Sequence, residues 1–539
     1  MVLYNNCTVT IIVCTVKFTQ LLHTLFFKSI QFERKKKIMV NVSIQLNKDI
    51  TTPMYLQLSS SIGNLIKSGK IKPKEKLPPI RKLANDLGVN NVTVVNAYKQ
   101  LEANGYIKAI KGSGYYVLNL EDKPTEKASS MTNLEEDEFL EHEDIKLMSN
   151  GQIEISSNTI NFASTTPDPS IFPIEAFKNC LNEVLDRDKG YAFGYQESNG
   201  FEPLRESLCS FLEVYTNITV KKEYIQIVSG AQQGIDIIGK TLLNPGDYVI
   251  TENPTYTGAV SVFKSRGAQI VGVPINESGI DLKVLERQII RYNPKLIYVM
   301  TRFQSPTTIS YSKENLQGLL KLSEKYGVYL VEDDSLAGLS FENFDESPSL
   351  KSLDTKDKVI YIKSFSKLLM PGLRIGFIIS PENLSSELLK AKHSTDISSS
   401  GLIQRALHLY FEKGHWEDHI NYMKDIYKEK YEAMLKYLNE LKKYGISFTE
   451  PKGGLNFWIT LPQGVEATKL YLECVKEDVL IVPCKIFYVN NYRNNDNTIR
   501  LSYAATNLEE IKAGMKVLEY SIIKLLNKSK SRTYMSPMI

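Results

Sequence analysis

Beyond residue 159 the chain alternates short, unbroken apolar runs with longer stretches of helical periodicity. The runs are Tyr224 to Val228, Asp247 to Ile250, Gln269 to Val273, Leu296 to Met300, Val328 to Val331 and Val359 to Ile362. That alternation predicts a mostly parallel sheet covered by helices. Met423 to Leu441 predicts one long amphipathic helix. The first part of the chain follows a different pattern. Tyr55, Leu58, Ile62, Leu65 and Ile66 recur at helical spacing, and Gly69 and Pro73 close that helix. A short helix over Ile80 to Leu87 turns at Gly88. A third helix, Asn91 to Ala103, carries Val94, Ala97, Tyr98 and Leu101 on its inner face and stops at Gly105. Tyr106 to Ile110 and Tyr115 to Leu118 alternate around the tip Lys111-Gly112-Ser113-Gly114. Three helices and a hairpin in this order predict a winged helix-turn-helix.

Charge separates the same regions. From Asn41 to Leu120 eleven lysines and arginines face four acidic residues, the balance of a nucleic-acid partner. The helix opening near Asn91 is the one to enter a major groove. Asn90, Asn91, Thr93 and Asn96 stand on its outer side to reach base edges or phosphates. Arg81, Lys82 and the wing residue Lys111 would hold phosphates. From Glu121 to Lys146 ten acidic residues face three lysines among Ser, Thr and Asn, which predicts a flexible tether over 121–158.

The remaining bulk features exclude more than they assign. With 539 residues the chain holds several domains, and 42% hydrophobic with 23% charged residues suit a globular protein. Six scattered cysteines without a C-x-x-C point to a reducing, cytoplasmic setting and away from a disulfide framework or cysteine zinc site. His415 and His419 share a helix face but lack a third ligand, so no metal is expected. Thr8 to Phe27 is apolar, yet Lys17, Gln20 and His23 spoil it as a membrane span. It has no basic leader or small-residue cleavage site either. Residues 1–38 are expected to be an extension preceding a native start at Met39. The codons of Glu33-Arg34-Lys35 can spell a ribosome-binding site, and a mass measurement of the native N-terminus decides the matter. Residues 159–527 form the large domain and 528–539 a tail.

The candidate chemistry gathers where the last apolar run ends, in Tyr361-Ile362-Lys363-Ser364-Phe365-Ser366-Lys367 and on through Pro371-Gly372-Leu373-Arg374. Two hydroxyls, an amine and a guanidinium suit an aldehyde that carries a phosphate. Lys367 can condense with the aldehyde as a Schiff base, while Ser364, Ser366 and Arg374 hold the dianion. A strand end with surface Ser and Lys is the plainer reading of this stretch taken alone. Other candidates also lie at strand ends, where ligands sit in such sheets. Ser229-Gly230-Ala231-Gln232 opens a helix whose amides can cradle a phosphate. Tyr256 can stack on a ring or belong to the core. Glu332-Asp333-Asp334-Ser335 ends another run and offers a carboxylate to a ring nitrogen.

S-x-S-K followed by P-G-x-R-x-G resembles the cofactor-lysine motif of fold-type I aminotransferases that use pyridoxal 5'-phosphate. SFSK…PGLRIG is similar to the MocR branch of GntR-type regulators. Leu77-Pro78-Pro79-Ile80-Arg81-Lys82-Leu83-Ala84, Leu87-Gly88-Val89, Thr93-Val94 and Ala97-Tyr98 fall where the GntR winged helix has its motif. Pro79 stands in place of a common Ser, and Asn90-Asn91 in place of Ser-Arg, which implies an altered operator preference. The resemblance implies that Lys367 and Asp333 carry the chemistry, with Asp334 the alternative to Asp333. Gly230, Ala231 and Gln232 would join the phosphate site, Tyr256 would stack on the ring and Arg500 would take an α-carboxylate. Ser305 and Ser335 replace an Asn and a Tyr that contact the cofactor's phenolic oxygen. Tyr195 would reach the neighbouring subunit's phosphate, which implies a homodimer. Gly258 stands where some relatives carry an arginine for a distal carboxylate.

The expectation is a transcription regulator. Its winged helix binds double-stranded operator DNA, and its cofactor domain senses an amino acid or the vitamer itself, with no membrane partner. The alternative is an active aminotransferase carrying a DNA-binding appendage. A third reading, a DNA-binding protein whose large domain only dimerises, requires no cofactor.

Overall fold

The structure is a computed structural model that describes residues 54–68, 70–103, 106–110, 114–118, 159–341, 347–489 and 496–533. The N-terminal extension, Gly69, Gly105, the wing tip with Lys111, the acidic tether and the last residues of the tail lie outside the described residues. The chain divides into two compact units, Met1–Thr132 and Asn133–Ile539.

In the first unit α1 (Met54–Lys67), α2 (Ile80–Leu87) and α3 (Asn91–Ala103) precede an antiparallel hairpin of β1 (Ile107–Ile110) and β2 (Gly114–Val117). Leu58, Ile62 and Ile66 of α1 pack with Leu83, Ala84, Val94, Ala97, Tyr98 and Leu101, and the hairpin adds Ile107 and Val117. Gly88 makes the turn between α2 and α3 at φ +62°, a left-handed conformation glycine adopts without a Cβ penalty. Tyr98 is fully buried, and its hydroxyl donates to Pro78 O at 2.7 Å, tying α3 to the segment before α2.

The second unit is built on an eight-stranded sheet. Its strands are β4 (Ile225–Val228), β5 (Tyr248–Asn253), β6 (Gln269–Asn276), β7 (Gly279–Ile280), β8 (Leu296–Val299), β9 (Tyr329–Asp333), β10 (Val359–Ser364) and β11 (Gly376–Ile379), preceded in the chain by β3 (Ile160–Asn161). The spatial order is β4-β11-β10-β9-β8-β5-β6-β7. All six predicted runs are strands. Neighbours from β10 through β6 are parallel, whereas β11 runs antiparallel between β10 and β4. The runs are apolar throughout because both faces are covered. Val249, Tyr298, Val331 and Ile360 enter one buried cluster, and their neighbours Ile250, Ile297, Leu330 and Val359 enter another.

The covering helices are α4 (Ile174–Asp188), α5 (Glu202–Thr216), α6 (Ala231–Leu242), α7 (Thr257–Ser265), α8 (Leu282–Tyr292), α9 (Lys313–Tyr326), α10 (Glu382–Asp396) and α11 (Gly401–Glu412). The long helix α12 (His415–Leu441) begins eight residues before the predicted Met423, because Trp416, His419 and Ile420 are already on its buried face. It leads to a smaller antiparallel sheet, β12 (Ser447–Phe448), β13 (Asn456–Thr460), β15 (Val482–Pro483) and β16 (Thr498–Ser502), in the order β12-β13-β16-β15. Between them lie α13 (Ala467–Val475) and β14 (Val479–Leu480), and α14 (Leu508–Thr533) follows. That helix continues past residue 527, where the tail was expected to begin.

Candidate cofactor site and nucleic-acid face

The carboxyl ends of β4, β5, β9 and β10 bring the predicted residues into one region of the second unit. Lys367 follows β10 in a tight turn in which the amides of Leu368 and Leu369 both donate to Phe365 O. His419 of α12 bonds Leu368 O at 3.0 Å through Nε2. Burial pushes the Lys367 amine down to about 8, and the nearby Arg500 charge adds to the effect. Among the described residues nothing accepts a hydrogen bond from Lys367 Nζ or pairs with it.

Arg500 stands on β16, opposite Trp458 of β13 and Val482 of β15. Its guanidinium donates through Nη2 to Ala163 O and lies 5.2 Å from the Phe487 ring centre. Burial pushes it down to about 10. Its Nε is buried without a partner, and it has no carboxylate partner among the described residues.

Asp333 ends β9 and is buried. Tyr298 Oη donates to its Oδ2 at 2.8 Å and Ser335 Oγ donates to its Oδ1. Burial raises its carboxyl, opposed by those two hydroxyls. Tyr298 was not singled out in the sequence, where it is one more aromatic in an apolar run. Ser335, which stands where the resemblance has a Tyr, turns its hydroxyl to this carboxylate. Asp334 is held elsewhere, by Arg302 Nε at 3.0 Å and Tyr361 Oη at 2.6 Å.

The residues proposed for phosphate form a cup. Gly230 precedes α6 at φ +91°, and that helix has no side-chain cap on its first amides. A Cβ at Gly230 would come within 3.1 Å of Arg374 Nη2. Arg374 donates to Ser229 O at 2.6 Å and Ser366 Oγ at 3.3 Å, and the Ser364 and Ser366 hydroxyls lie 3.1 Å apart. Uncapped amides, two hydroxyls and a guanidinium are donors for a dianion. Tyr256 is half-buried, its hydroxyl 3.2 Å from Gln232 Oε1. Burial raises its phenol, and the charges that act on it are those of Asp333 and Arg374. At Gly258 a Cβ would lie 2.4 Å from Tyr256 Cζ, so a side chain there is excluded while the tyrosine holds this position.

Ser305 is half-buried and follows Gln304, whose amide donates to Glu252 Oε2 at 3.0 Å and Pro254 O at 2.9 Å. Tyr195 is 86% exposed in the single chain. In the first unit Arg81, Lys82, Asn90, Asn91 and Asn96 are exposed on α2 and α3 or at the turn between them, and Thr93 is half-buried.

A half-buried, unpaired amine that burial pushes down to about 8, a buried carboxylate that makes no ion pair among the described residues, and a cup of dianion donors fit a phosphorylated aldehyde with a basic ring. Together with the sheet order they define a fold-type I, pyridoxal-phosphate-dependent aminotransferase-like domain, preceded by a winged helix-turn-helix domain. Comparison with known proteins agrees. The family described as aminotransferase class I and II matches residues 150–518, and that described as bacterial regulatory proteins, gntR family, matches residues 54–117. An uncharacterized HTH-type transcriptional regulator of Bacillus subtilis, YdfD, is 31% identical over 88% of this chain and 98% of its own. An aromatic-amino-acid aminotransferase of Thermococcus litoralis is 33% identical over 69% of this chain and 90% of its own. The structure of Pyrococcus horikoshii kynurenine aminotransferase in complex with PMP superposes with a TM-score of 0.65 at 31% identity, covering 75% of this chain and 98% of that one. The α-aminoadipate aminotransferase LysN of Thermus thermophilus, complexed with N-(5'-phosphopyridoxyl)-L-leucine, gives 0.64 at 32%, covering 70% and 97%. The chain belongs to the aminotransferase class I and II family and carries a GntR-type DNA-binding domain at its N-terminal side, the organisation expected of the MocR branch.

Proposed function

We propose that this protein is a cytoplasmic transcription regulator, active as a homodimer, whose aminotransferase-like domain senses an amino acid or the vitamer. The observation that carries the reading is one chain that joins an exposed polar recognition helix to a cup of dianion donors and an unpaired lysine whose amine is pushed down to about 8. When bound, pyridoxal 5'-phosphate supplies an aldehyde that condenses with amines and a ring that withdraws electrons. The chain's residues do the rest. Gly230, Ala231, Gln232, Ser364, Ser366 and Arg374 bind the phosphate. Asp333, oriented by Tyr298 and Ser335, keeps a negative charge against the ring nitrogen. Tyr256 covers the ring. Arg500, with its unpartnered Nε, receives the effector's carboxylate. Lys367 would supply the amine for the aldehyde, and its Nζ, when free, would accept or return a proton at the effector's α-carbon.

Ser305 and Ser335 leave the phenolic oxygen with weaker support than an Asn and a Tyr provide, which favours sensing over turnover. Tyr195, exposed in one chain, completes the phosphate site of a second. A homodimer also matches a two-half-site operator, on which Arg81, Lys82 and Lys111 bind phosphates and Asn90, Asn91, Thr93 and Asn96 read bases. The retained Lys367, Asp333 and Arg500 keep transamination as a second reading. To test the proposal, the purified chain is titrated with amino acids and vitamers. Its visible cofactor absorbance and its retention on operator DNA are followed together. The two signals are expected to move at the same ligand concentration, and Lys367→Ala to abolish both responses. An unaltered response in Lys367→Ala refutes the sensing role. Keto-acid release over many turnovers supports the second reading.

A further inference from the structure

The cup depends on the conformation of the Ser229–Gly230 backbone, and that backbone is held on one side by Arg374 of the cup and on the other by a residue outside it. Ser229 N donates to Gln233 Oε1 at 2.6 Å, while Ser229 O accepts from Arg374 Nη2 at 2.6 Å. Both faces of this residue's backbone are therefore pinned just before Gly230 takes its left-handed φ. A glutamine amide has a donor end and an acceptor end, and nothing intrinsic decides which faces Ser229. Asp396, the last residue of α10, decides it. Its Oδ2 accepts from Gln233 Nε2 at 3.0 Å, and an ionised carboxylate can only accept. Asp396 is fixed in turn by Lys392 Nζ at 2.8 Å and Ser399 Oγ at 3.2 Å. Lys392 is fully buried. Burial opposes ionisation of Asp396, but the bonds to Lys392 and Gln233 outweigh it and hold its carboxyl below the usual range.

The geometry points to Gln233 and Asp396 as positioning residues for phosphate recognition, a relay that runs from α10 into the cup without either side chain serving as a phosphate ligand. This inference rests on the assignment of the cup to the cofactor's phosphate. Loss of the relay frees the Ser229 amide and lets Gly230 relax, which takes the first amides of α6 and Arg374 out of register. The penalty falls on the phosphate and spares the aldehyde and ring.

The test compares two probes on the full-length, cofactor-free chain, pyridoxal 5'-phosphate and unphosphorylated pyridoxal, by absorbance titration. In Gln233→Ala the dissociation constant for pyridoxal 5'-phosphate is expected to rise about tenfold, the effect of one lost hydrogen bond to a critical backbone group, with that for pyridoxal unchanged. Gln233→Glu sets two carboxylates face to face and is expected to lose the same phosphate preference. Adding Asp396→Asn restores a donor opposite Glu and is expected to bring the preference back to within about threefold of the starting chain. If Gln233→Ala does not accumulate folded, this pair carries the test alone. Equal losses for both probes, or a double variant no better than Gln233→Glu, overturn the relay. A starting chain that binds both probes equally overturns the cup assignment and the relay with it. A preserved preference in Gln233→Ala overturns the relay only.

Discussion

Lys367 should destabilise the fold that holds it. Its amine titrates at about 8 in the folded chain, against 10.5 for the ordinary side chain. Between those values the unfolded chain binds a proton that the folded chain does not, so stability rises with pH across that window. Below pH 8 both states are protonated and the cost is fully present. Above pH 10.5 both are neutral and the cost is gone. At about 1.4 kcal/mol per unit, the cost of a charged Lys367 near pH 7 approaches about 3 kcal/mol. Lys367→Met keeps the bulk of the side chain and removes the charge, so the cofactor-free variant should be more stable at pH 7 by up to that amount. The gain should shrink to nothing by pH 10.5. Denaturant unfolding, followed on cofactor-free protein at several pH values, measures the difference, and subtracting the two chains cancels the other titrating groups. A variant that is less stable at pH 7, or a gain constant from pH 7 to 10.5, refutes the argument. The same depression leaves about one Lys367 in ten uncharged at pH 7, against about one in three thousand for an ordinary lysine, which is what condensation with an aldehyde needs.

Gly230→Ala should weaken pyridoxal 5'-phosphate binding at least tenfold by absorbance titration, because a Cβ at φ +91° is strained and crowds Arg374 at 3.1 Å. Unchanged affinity would show that the turn is not part of the phosphate site. Tyr298→Phe removes a donor from Asp333, whose carboxyl burial already raises, so the acid limb of cofactor affinity should move to higher pH by about one unit. A limb that stays in place refutes the role given to that hydroxyl. Pro79→Ser should raise the melting temperature of the winged-helix unit. The proline at the start of α2 makes no side-chain cap, and a serine cap is worth about 1 kcal/mol, partly offset by the freer unfolded chain. A lower melting temperature speaks against it.

What the chain displays openly is what depends on nearest neighbours. The strands β4, β5, β6, β8, β9 and β10 were legible because burial on both faces demands unbroken apolar runs, whereas the two-residue β7 is too short to show one. The antiparallel β11 was missed because Gly376-Phe377-Ile378-Ile379 is separated from Pro371-Gly372-Leu373-Arg374 by Ile375 alone and merges with that motif. Lys367, Ser364, Ser366 and Arg374 were legible as a group because one short stretch of chain, 364–374, supplies all four. The partners of Asp333 and Gln233 were not, since Tyr298 lies 35 residues from Asp333 and Asp396 lies 163 from Gln233. Only the sheet order and the packing of α10 against α6 bring them together. The new contact of Ser335 was hidden for a related reason. A substitution at a motif position tells which contact is lost but not which contact the new, shorter side chain finds.

Asp333 and Asp334, between which spacing leaves a choice open, meet different surroundings in the fold. They are consecutive and both buried, so hydropathy treats them alike. Consecutive side chains at the end of a strand point to opposite faces, and the two carboxyls meet opposite surroundings. For Asp334, burial works against ionisation, but Arg302 and Lys363 outweigh it and keep the carboxyl below its usual range. Its charge is already neutralised by the chain. For Asp333 burial prevails and the carboxyl rises, against the hydroxyls of Tyr298 and Ser335 on its oxygens and the charge of Lys363, which makes no ion pair with it. A buried carboxylate without a counter-ion is costly unless something else brings the charge. A protonated ring nitrogen would do so, and the pairing would stabilise cofactor and carboxylate together. That is the physical ground for proposing Asp333, the carboxylate the chain leaves without an ion pair, rather than Asp334.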